Sequence, residues 1–176
     1  FNTTPSNNVT LNVTAVNDAP AVTSATISSS DFLNRTNGSL TASWQFSDID
    51  GDAQQGNETL WYINGVENES LRNSTIIGSE NTTKLQNWSF SVRVFDGTNF
   101  SAFFSSANIT IANALQSFNH SLGVESVERS TLFAYDINYT DMDGDAVAFS
   151  DNSSLFAITN EGIINFTPAA SGNITV

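Results

Sequence analysis

The sequence of 176 residues contains no cysteine, one histidine and one lysine, and these scarcities exclude several kinds of site. Without cysteine the chain forms no disulfide, no thiolate metal site and no cysteine nucleophile. The single histidine, His120, excludes a metal site built from several imidazoles. No acidic residue lies close to His120 in sequence to orient it as a general base, so we expect it to have no catalytic role.

Basic residues are also scarce, because five of them face 18 acidic residues and leave a net charge of −13. A nucleic-acid partner would require a basic face, and so would docking on an anionic membrane. No stretch approaches the roughly 20 apolar residues that span a bilayer. The serines lack a GxSxG turn, and Lys84 lacks the glycines of a phosphate-binding loop. We therefore expect no nucleic-acid partner, no membrane insertion within these residues and no enzymatic activity.

Charged residues make up only 13% of the chain, so the solubility of its surface has another source. Serine and threonine together number 43, about one position in four, yet 17 of the 22 asparagines are followed two places later by one of them. Each of these 17 matches the N-glycosylation pattern Asn-x-Ser/Thr without proline. They are Asn2, Asn8, Asn12, Asn34, Asn37, Asn57, Asn68, Asn73, Asn81, Asn87, Asn99, Asn108, Asn119, Asn138, Asn152, Asn165 and Asn173. This density predicts an extracellular chain that carries N-linked glycans.

Strand alternation offers a second explanation for the same motif. In a half-exposed strand, residues i and i+2 share the solvent face while residue i+1 points inward, which also produces Asn-apolar-Thr. Asparagine is depleted in strands, however, and threonine alone would serve that face better. The two explanations agree on one point, since both place the asparagines on the solvent side.

Apolar residues alternate with polar ones in several short segments. Examples are the runs at 40–46, 88–94, 109–111 and 133–139, with shorter ones at 9–13 and 174–176. The pair Asn64-Gly65 between apolar runs predicts a tight hairpin. Many short strands separated by turn residues predict an all-β sandwich architecture. Trp44, Trp61 and Trp88 fall on these strand patterns and are expected in the core. Of the adjacent Phe103 and Phe104, one is expected to face outward.

An internal repeat divides the chain into modules. DIDGD at 48–52 recurs as DMDGD at 141–145, and Asn17 aligns with Asn113. A period near 95 residues matches one immunoglobulin-like sandwich. We predict a closing strand at 1–16, a complete sandwich at 17–113 (the first module) and a sandwich at 114–176 that lacks its last strand (the second module). Residues 1–16 would then complete a second module, either in a tandem array or in a neighbouring copy by strand addition. Without them, the second module has an unpaired edge.

The two acidic loops are candidate calcium sites. Asp48, Asp50 and Asp52 in the first loop, and Asp141, Asp143 and Asp145 in the second, alternate along tight turns and can converge on one hard cation. The alternative is that aspartate and glycine are simply good turn formers. The bidentate glutamate at the twelfth position of an EF-hand loop is absent, because Thr59 and Asn152 stand there. Asp18, in the linker before Pro20, is a further candidate without a counterpart in the linker at 112–115.

These motifs carry a family resemblance. The first module, with DIDGD and NWSFSVRVFDG, resembles the Ig-like repeats of large archaeal surface proteins. The second, with LFAYDINYTDMDGD, resembles the cadherin-like or Ig-like repeats of bacterial and archaeal surface proteins, and VNDAP at 16–20 resembles the linker of those arrays. The resemblance implies extracellular tandem β-sandwiches, often stabilised by calcium, in adhesins, surface layers or filaments.

The expected function is therefore structural: a glycosylated building block of an extracellular filament, stalk or surface layer that contacts copies of itself head-to-tail. The alternative from another class is an adhesin module that recognises a surface glycan or protein. A third option is an accessory module of a secreted hydrolase whose catalytic domain lies elsewhere.

Overall fold

The computed structural model describes residues 12–119, 126–151, 154 and 156–170, and the all-β prediction is confirmed. The strands are β1 (Ala21–Ser29), β2 (Leu40–Ser47), β3 (Gly56–Ile63), β4 (Val66–Glu67), β5 (Ile76–Ile77), β6 (Asn87–Phe95), β7 (Phe104–Ser105), β8 (Ile109–Thr110), β9 (Ser117–Phe118), β10 (Phe133–Asp136), β11 (Tyr139–Thr140) and β12 (Ile163–Phe166). Two 3₁₀ turns, Glu69–Leu71 and Ser79–Asn81, complete the described elements. Nothing helical in this part of the chain is long or apolar enough to cross a membrane.

Strands β1 to β8 form two antiparallel sheets. One sheet has the order β1-β2-β5. The other has the order β4-β3-β6-β7, and β8 also pairs with β6. The inner faces of the two sheets enclose one apolar core, whose buried members are Val22, Leu40, Ala42, Trp61, Ile77, Trp88, Phe90, Val92, Val94 and Ile111.

The central strand β6 explains how the core is built. Trp88, Phe90, Val92 and Val94 are all completely buried, as their alternation along the sequence predicts. Trp61 on β3 packs edge-on against Trp88, with ring centres 6.0 Å apart. The core position predicted for these two tryptophans is therefore confirmed.

Two further aromatic predictions have different outcomes. Trp44 is only half-buried: it packs against the rim of the core, and its indole N–H donates to Gln54 Oε1 at 3.2 Å. Phe103 and Phe104 are both exposed rather than only one of them.

Strand β1 is not predicted by the sequence patterns. Its register against β2 shifts between Val22 and Ser24, which marks a β-bulge. The bulge breaks the period-2 alternation, because Ala25 stands three places after Val22, although Ile27 again stands two places after Ala25. The hairpin at Asn64-Gly65 is confirmed, because it joins β3 to β4 and both residues have positive φ angles of 53° and 81°.

The second module has a smaller described core. Strand β10 pairs with β12, and β9 pairs with β11, in two separate two-stranded sheets. Among its described residues, Phe156 and Ile164 are the buried large apolar side chains, whereas Phe118 and Leu132 are exposed.

Most residues of the predicted terminal strands lie outside the described part of the chain. Residues 12–16 form no strand, and the rest of the predicted strand at 9–13 lies outside the described residues. The predicted strand at 174–176 and His120 also lie outside them.

Candidate functional site

The first acidic loop folds around its first aspartate. Asp48 Oδ1 accepts hydrogen bonds from the backbone N–H groups of Asp50 (2.9 Å) and Asp52 (3.2 Å). Gly51 has a φ angle of 82°, a left-handed conformation that glycine adopts without a Cβ clash. These contacts close the turn and hold the three carboxylates on one side of it.

The second acidic loop repeats this geometry. Asp141 Oδ1 accepts from the backbone N–H groups of Asp143 (2.9 Å) and Asp145 (3.0 Å). Gly144, at the same place as Gly51, has a φ angle of 69°. The repeat seen in sequence is thus also a repeat of turn geometry.

The structure brings together the two triads that the sequence singles out. In each loop, one carboxylate oxygen from each of the three aspartates lies within 4.8 Å of the other two. Like charges at such distances repel one another, and a cation held between them relieves the repulsion. Oxygen donors alone, without nitrogen or sulfur, are the donor set that calcium prefers.

The first loop also holds the linker that precedes its module. Asp18 donates its backbone N–H to Asp50 Oδ2 at 2.7 Å. The side-chain amide of Asn17 donates to the carbonyl oxygen of Asp18 at 3.0 Å and to Asp96 Oδ2 at 3.1 Å. The linker, the acidic loop and the turn that follows β6 therefore meet at one corner of the first module.

The second loop holds its own linker in the same way. Ala114 donates its backbone N–H to Asp143 Oδ2 at 2.6 Å, and the amide of Asn113 donates to the carbonyl oxygen of Ala114 at 2.8 Å. Asn17 and Asn113 are thus equivalent in structure as well as in the sequence alignment. The sequence aligns the two asparagines but does not predict that they hold the linkers beside the acidic loops. One feature of the sequence sets them apart, because neither belongs to a glycosylation motif.

Asp96 is a further acidic residue that sequence reasoning does not identify. It is buried, and its Oδ1 accepts from the backbone N–H groups of Thr98 (2.6 Å) and Asn99 (2.7 Å). The bonds from Asn99 and Thr98 lower the pKa of Asp96 below its ordinary value against the opposing effect of burial. The signal in the sequence is the Asp-Gly pair directly after β6, which resembles the acidic turns in composition.

The two loops differ in their positive partners. The ammonium group of Lys84, in the first module, forms an ion pair with Asp145 Oδ1. This hydrogen bond lowers the pKa of Asp145 and raises that of Lys84. Within the described residues, no lysine or arginine forms an ion pair with Asp48, Asp50 or Asp52.

One additional observation supports a divalent cation at the first loop. Asp48 Oδ2 is shielded from solvent and has no hydrogen-bond partner. A carboxylate oxygen that is shielded from solvent and unpaired destabilises the fold unless a cation or a hydrogen-bond donor approaches it. Thr59, at the twelfth position of the loop, cannot supply another ligand, because it is fully buried in β3 and its hydroxyl donates to Ser74 O at 3.0 Å.

The motif asparagines that the structure describes lie at the surface. Of the 17 asparagines, Asn2, Asn8, Asn152 and Asn173 lie outside the described residues. Ten of the others are exposed, namely Asn12, Asn37, Asn73, Asn81, Asn87, Asn99, Asn108, Asn119, Asn138 and Asn165. Asn34, Asn57 and Asn68 are half-buried, and none of the thirteen is buried. The surface can therefore accommodate glycans at these positions.

The hydroxyl residues that complete the motifs differ in their exposure to solvent. Thr36, Thr59 and Ser101, which complete the motifs at Asn34, Asn57 and Asn99, are buried. Within the described ranges, three motifs thus have an asparagine that can reach solvent and a hydroxyl that cannot.

An aromatic surface lies beside β6 and β7. Phe100, Phe103 and Phe104 are exposed, and the guanidinium carbon of Arg93 lies 4.4 Å from the ring centre of Phe100 and 4.8 Å from that of Phe103. Cation–π contacts of this kind order the rings. We call these four residues the aromatic surface.

Comparison with known protein families finds no model that matches the chain, and comparison with curated proteins finds no match either. Function is therefore inferred from the linker geometry, the acidic loops and the surface.

Proposed function

We propose that the chain is a structural subunit or repeat unit of a heavily N-glycosylated extracellular filament, stalk or surface layer, without catalytic activity. Its units join head-to-tail, either by β-strand complementation between copies or by tandem continuity of one chain. The equivalence of the two linkers supports this proposal most strongly.

The linker equivalence supports the prediction that residues 1–16 provide a closing strand for another module. Asn17 lies at the first loop as Asn113 lies at the second. The residues before Asn113 close the first module, where β8 pairs with β6 and Ile111 is 1% exposed. The residues before Asn17 occupy the equivalent place, yet they form no strand and Val13 is 83% exposed.

The second module has apolar residues that such a closing strand would cover. Its described part buries only Phe156 and Ile164 among its large apolar side chains and leaves Phe118 and Leu132 exposed. A strand that brought Val13 onto this sheet would cover apolar surface on both partners, at about 25 cal/mol per Å² buried. Main-chain pairing would supply the affinity, and the alternate side chains would set the register.

Strand complementation is tested by two substitutions on opposite faces of the proposed strand. Val13→Asp places a charge on the inward face, whereas Thr14→Asp places the same charge on the solvent face. The chain is produced without glycosylation, because Thr14→Asp also removes the Asn12 motif. We expect sedimentation and electron microscopy to show head-to-tail oligomers for the unsubstituted chain and for Thr14→Asp, but monomers for Val13→Asp. Oligomers unaffected by Val13→Asp would contradict the proposed contact. If the unsubstituted chain is monomeric at every concentration, strand complementation between copies is excluded, and tandem continuity of one longer chain remains as the way in which units join.

Surface asparagines support the glycoprotein component of the proposal. The thirteen described motif asparagines are exposed or half-buried, and charged residues make up only 13% of the chain. We expect the native protein to have a mass well above the 18.9 kDa of the bare chain. A native mass equal to the bare value would contradict it.

Calcium binding at the first acidic loop is proposed as the element that stiffens the linker. The three carboxylates, the unpaired Asp48 Oδ2 and the bond from Asp18 to Asp50 support it. Extracellular modules of this type bind calcium at roughly 10⁻⁴–10⁻³ M.

The calcium proposal is tested by thermal unfolding with calcium and with chelator. Saturation at 100 times the dissociation constant stabilises a fold by about 2.7 kcal/mol, so we expect a clear rise in the midpoint. Asp48→Asn should remove that rise, whereas Asp136→Asn, which removes a charge from exposed β10, should retain it. An unchanged midpoint in the wild type would argue against calcium.

The aromatic surface favours a second candidate, an adhesin module that binds a glycan or protein on another cell. Exposed rings of Phe100 and Phe103 beside Arg93 offer a face on which a sugar or an apolar side chain can stack. A glycan-array signal from the deglycosylated chain that disappears in Phe103→Ser would support this candidate, and the absence of any signal would favour the structural role.

A further inference from the structure

Lys84 connects the first module to the acidic loop of the second. It is the chain's only lysine, and its ammonium group pairs with Asp145, 61 positions later in sequence. Its backbone position is fixed from the first module, because the next residue, Leu85, has a φ angle of 70° and donates its N–H to Ile111 O at 2.8 Å. The ammonium group is thus held at the second loop by the same segment that anchors the end of the first module.

The charges around the two loops are unequal. Around the first loop, its three aspartates are joined by Asp18 in the linker and by Asp96 through Asn17, with no ion-paired lysine or arginine among the described residues. Around the second loop, the linker residue is the neutral Ala114, and Lys84 supplies one positive charge. Glu80 lines the same cleft as Asp143 and adds one negative charge there.

The two loops also differ in the hydrogen bonding of their carboxylate oxygens. Asp48 Oδ2 of the first loop is shielded and has no partner. In the second loop, Asp145 Oδ1 receives the lysine, and Asp143 Oδ2 receives the N–H of Ala114. The first loop lacks a positive charge that the second already has.

We infer that Lys84 is the built-in cation of the second acidic loop, so that the chain concentrates its divalent-cation binding in the first loop. This inference rests on the proposed calcium function and refines it, because calcium is expected at one loop rather than at both. The second junction is then joined by an ion pair within the chain, and the first by an ion from solution.

The expected size of the asymmetry follows from electrostatics. A unit charge repels a divalent ion about 4 Å away by enough, even in water, to weaken binding by on the order of tenfold or more. Removal of Lys84 should therefore strengthen divalent binding at the second loop by at least about tenfold. Replacement by arginine should leave the repulsion in place.

The experiment is a calorimetric titration of the full chain with calcium chloride. For the wild type we expect one site in the working range. Lys84→Gln should reveal a second site of comparable affinity, Lys84→Arg should still show one, and the double variant Lys84→Gln/Asp145→Asn should lose the second site again. Asp52→Asn should weaken the wild-type site and so assign it to the first loop.

The possible results separate this inference from the proposal on which it rests. No calcium binding by the wild type would overturn the calcium proposal and this inference together. Two equal sites in the wild type, or a second loop whose binding is unchanged by Lys84→Gln, would overturn the role of Lys84 while calcium binding itself stands. Circular dichroism of each variant checks that the β fold is retained.

Discussion

Single residues decide which glycosylation motifs the folded chain can offer. At Asn57 the amide reaches the surface, but Thr59 is fully buried and its hydroxyl donates to Ser74 O. At Asn73 both the asparagine and Thr75 are exposed. The hydroxyl is part of the acceptor pattern, so an enzyme that recognises it must be able to reach it.

We therefore predict that modification at Asn34, Asn57 and Asn99 precedes folding. When the folded, unglycosylated chain is treated with a glycosylating enzyme, Asn37 and Asn73 should be modified and those three should not. The denatured chain provides the control, because all five become accessible in it. Site-resolved mass spectrometry measures the occupancy, and equal modification of Asn57 and Asn73 in the folded chain would contradict the prediction.

At the scale of elements, the hairpin between β3 and β4 shows how a local signal fixes a register. Asn64 and Gly65 both adopt positive φ angles, and the turn pairs Ile63 with Val66 directly across it. A primed turn of this kind matches the right-handed twist of the flanking strands. The short motif Asn-Gly therefore favours this pairing locally, and Asn87 adds to it by accepting from the backbone N–H of Asn64 and donating its own to Asn64 Oδ1.

Two glycine substitutions test this interpretation. Gly65→Ala should destabilise the fold by about 1–2 kcal/mol, because the left-handed φ of 81° penalises a Cβ although no other atom lies near it. Gly56→Ala is the control, since its Cβ would meet Phe95 at an ordinary 3.6 Å without a positive φ. Urea unfolding measures both, and equal effects would show that backbone conformation is not the cause.

At the scale of the whole molecule, the two modules differ in how completely they bury their apolar residues. Strands β1–β8 pair only among themselves within the described residues, and so do β9–β12. The first group encloses two tryptophans and a full inner face of β6, whereas the second buries Phe156 and Ile164. Unequal cores without shared strands should unfold separately.

Calorimetry should accordingly show two transitions, with the first module melting at the higher temperature. Trp88→Ala should lower the upper transition strongly, since truncating a buried tryptophan costs about 3–5 kcal/mol, and should leave the lower one in place. Phe32→Ala, at a side chain that is 94% exposed, should leave both unchanged. A single transition that moves as a whole would show that the modules unfold as one unit.

Much of the fold could be predicted because its signals are local. Alternation at Trp88, Phe90 and Val92 predicts the inner face of β6, since residues two apart share a face. Strand β1 could not be predicted in this way, because a bulge after Val22 breaks the alternation. In the candidate site, the carboxylate triads were predictable from five consecutive residues. The bond from Asn17 to Asp96 and the linker bonds to Asp50 and Asp143 were not, because they join segments far apart in the chain.

The sequence by itself determined the all-β class, the repeated acidic turns and the position of the tight hairpin, because each depends on neighbours within a few residues. Only the tertiary structure decided that Lys84 meets Asp145, that Asn17 joins the linker to Asp96 and that the hydroxyl of Thr59 is hidden. These contacts join segments far apart in the chain or follow from the packing of one sheet against the other. No local pattern encodes them, because their partners come together only when the two sheets and the linkers close around the core.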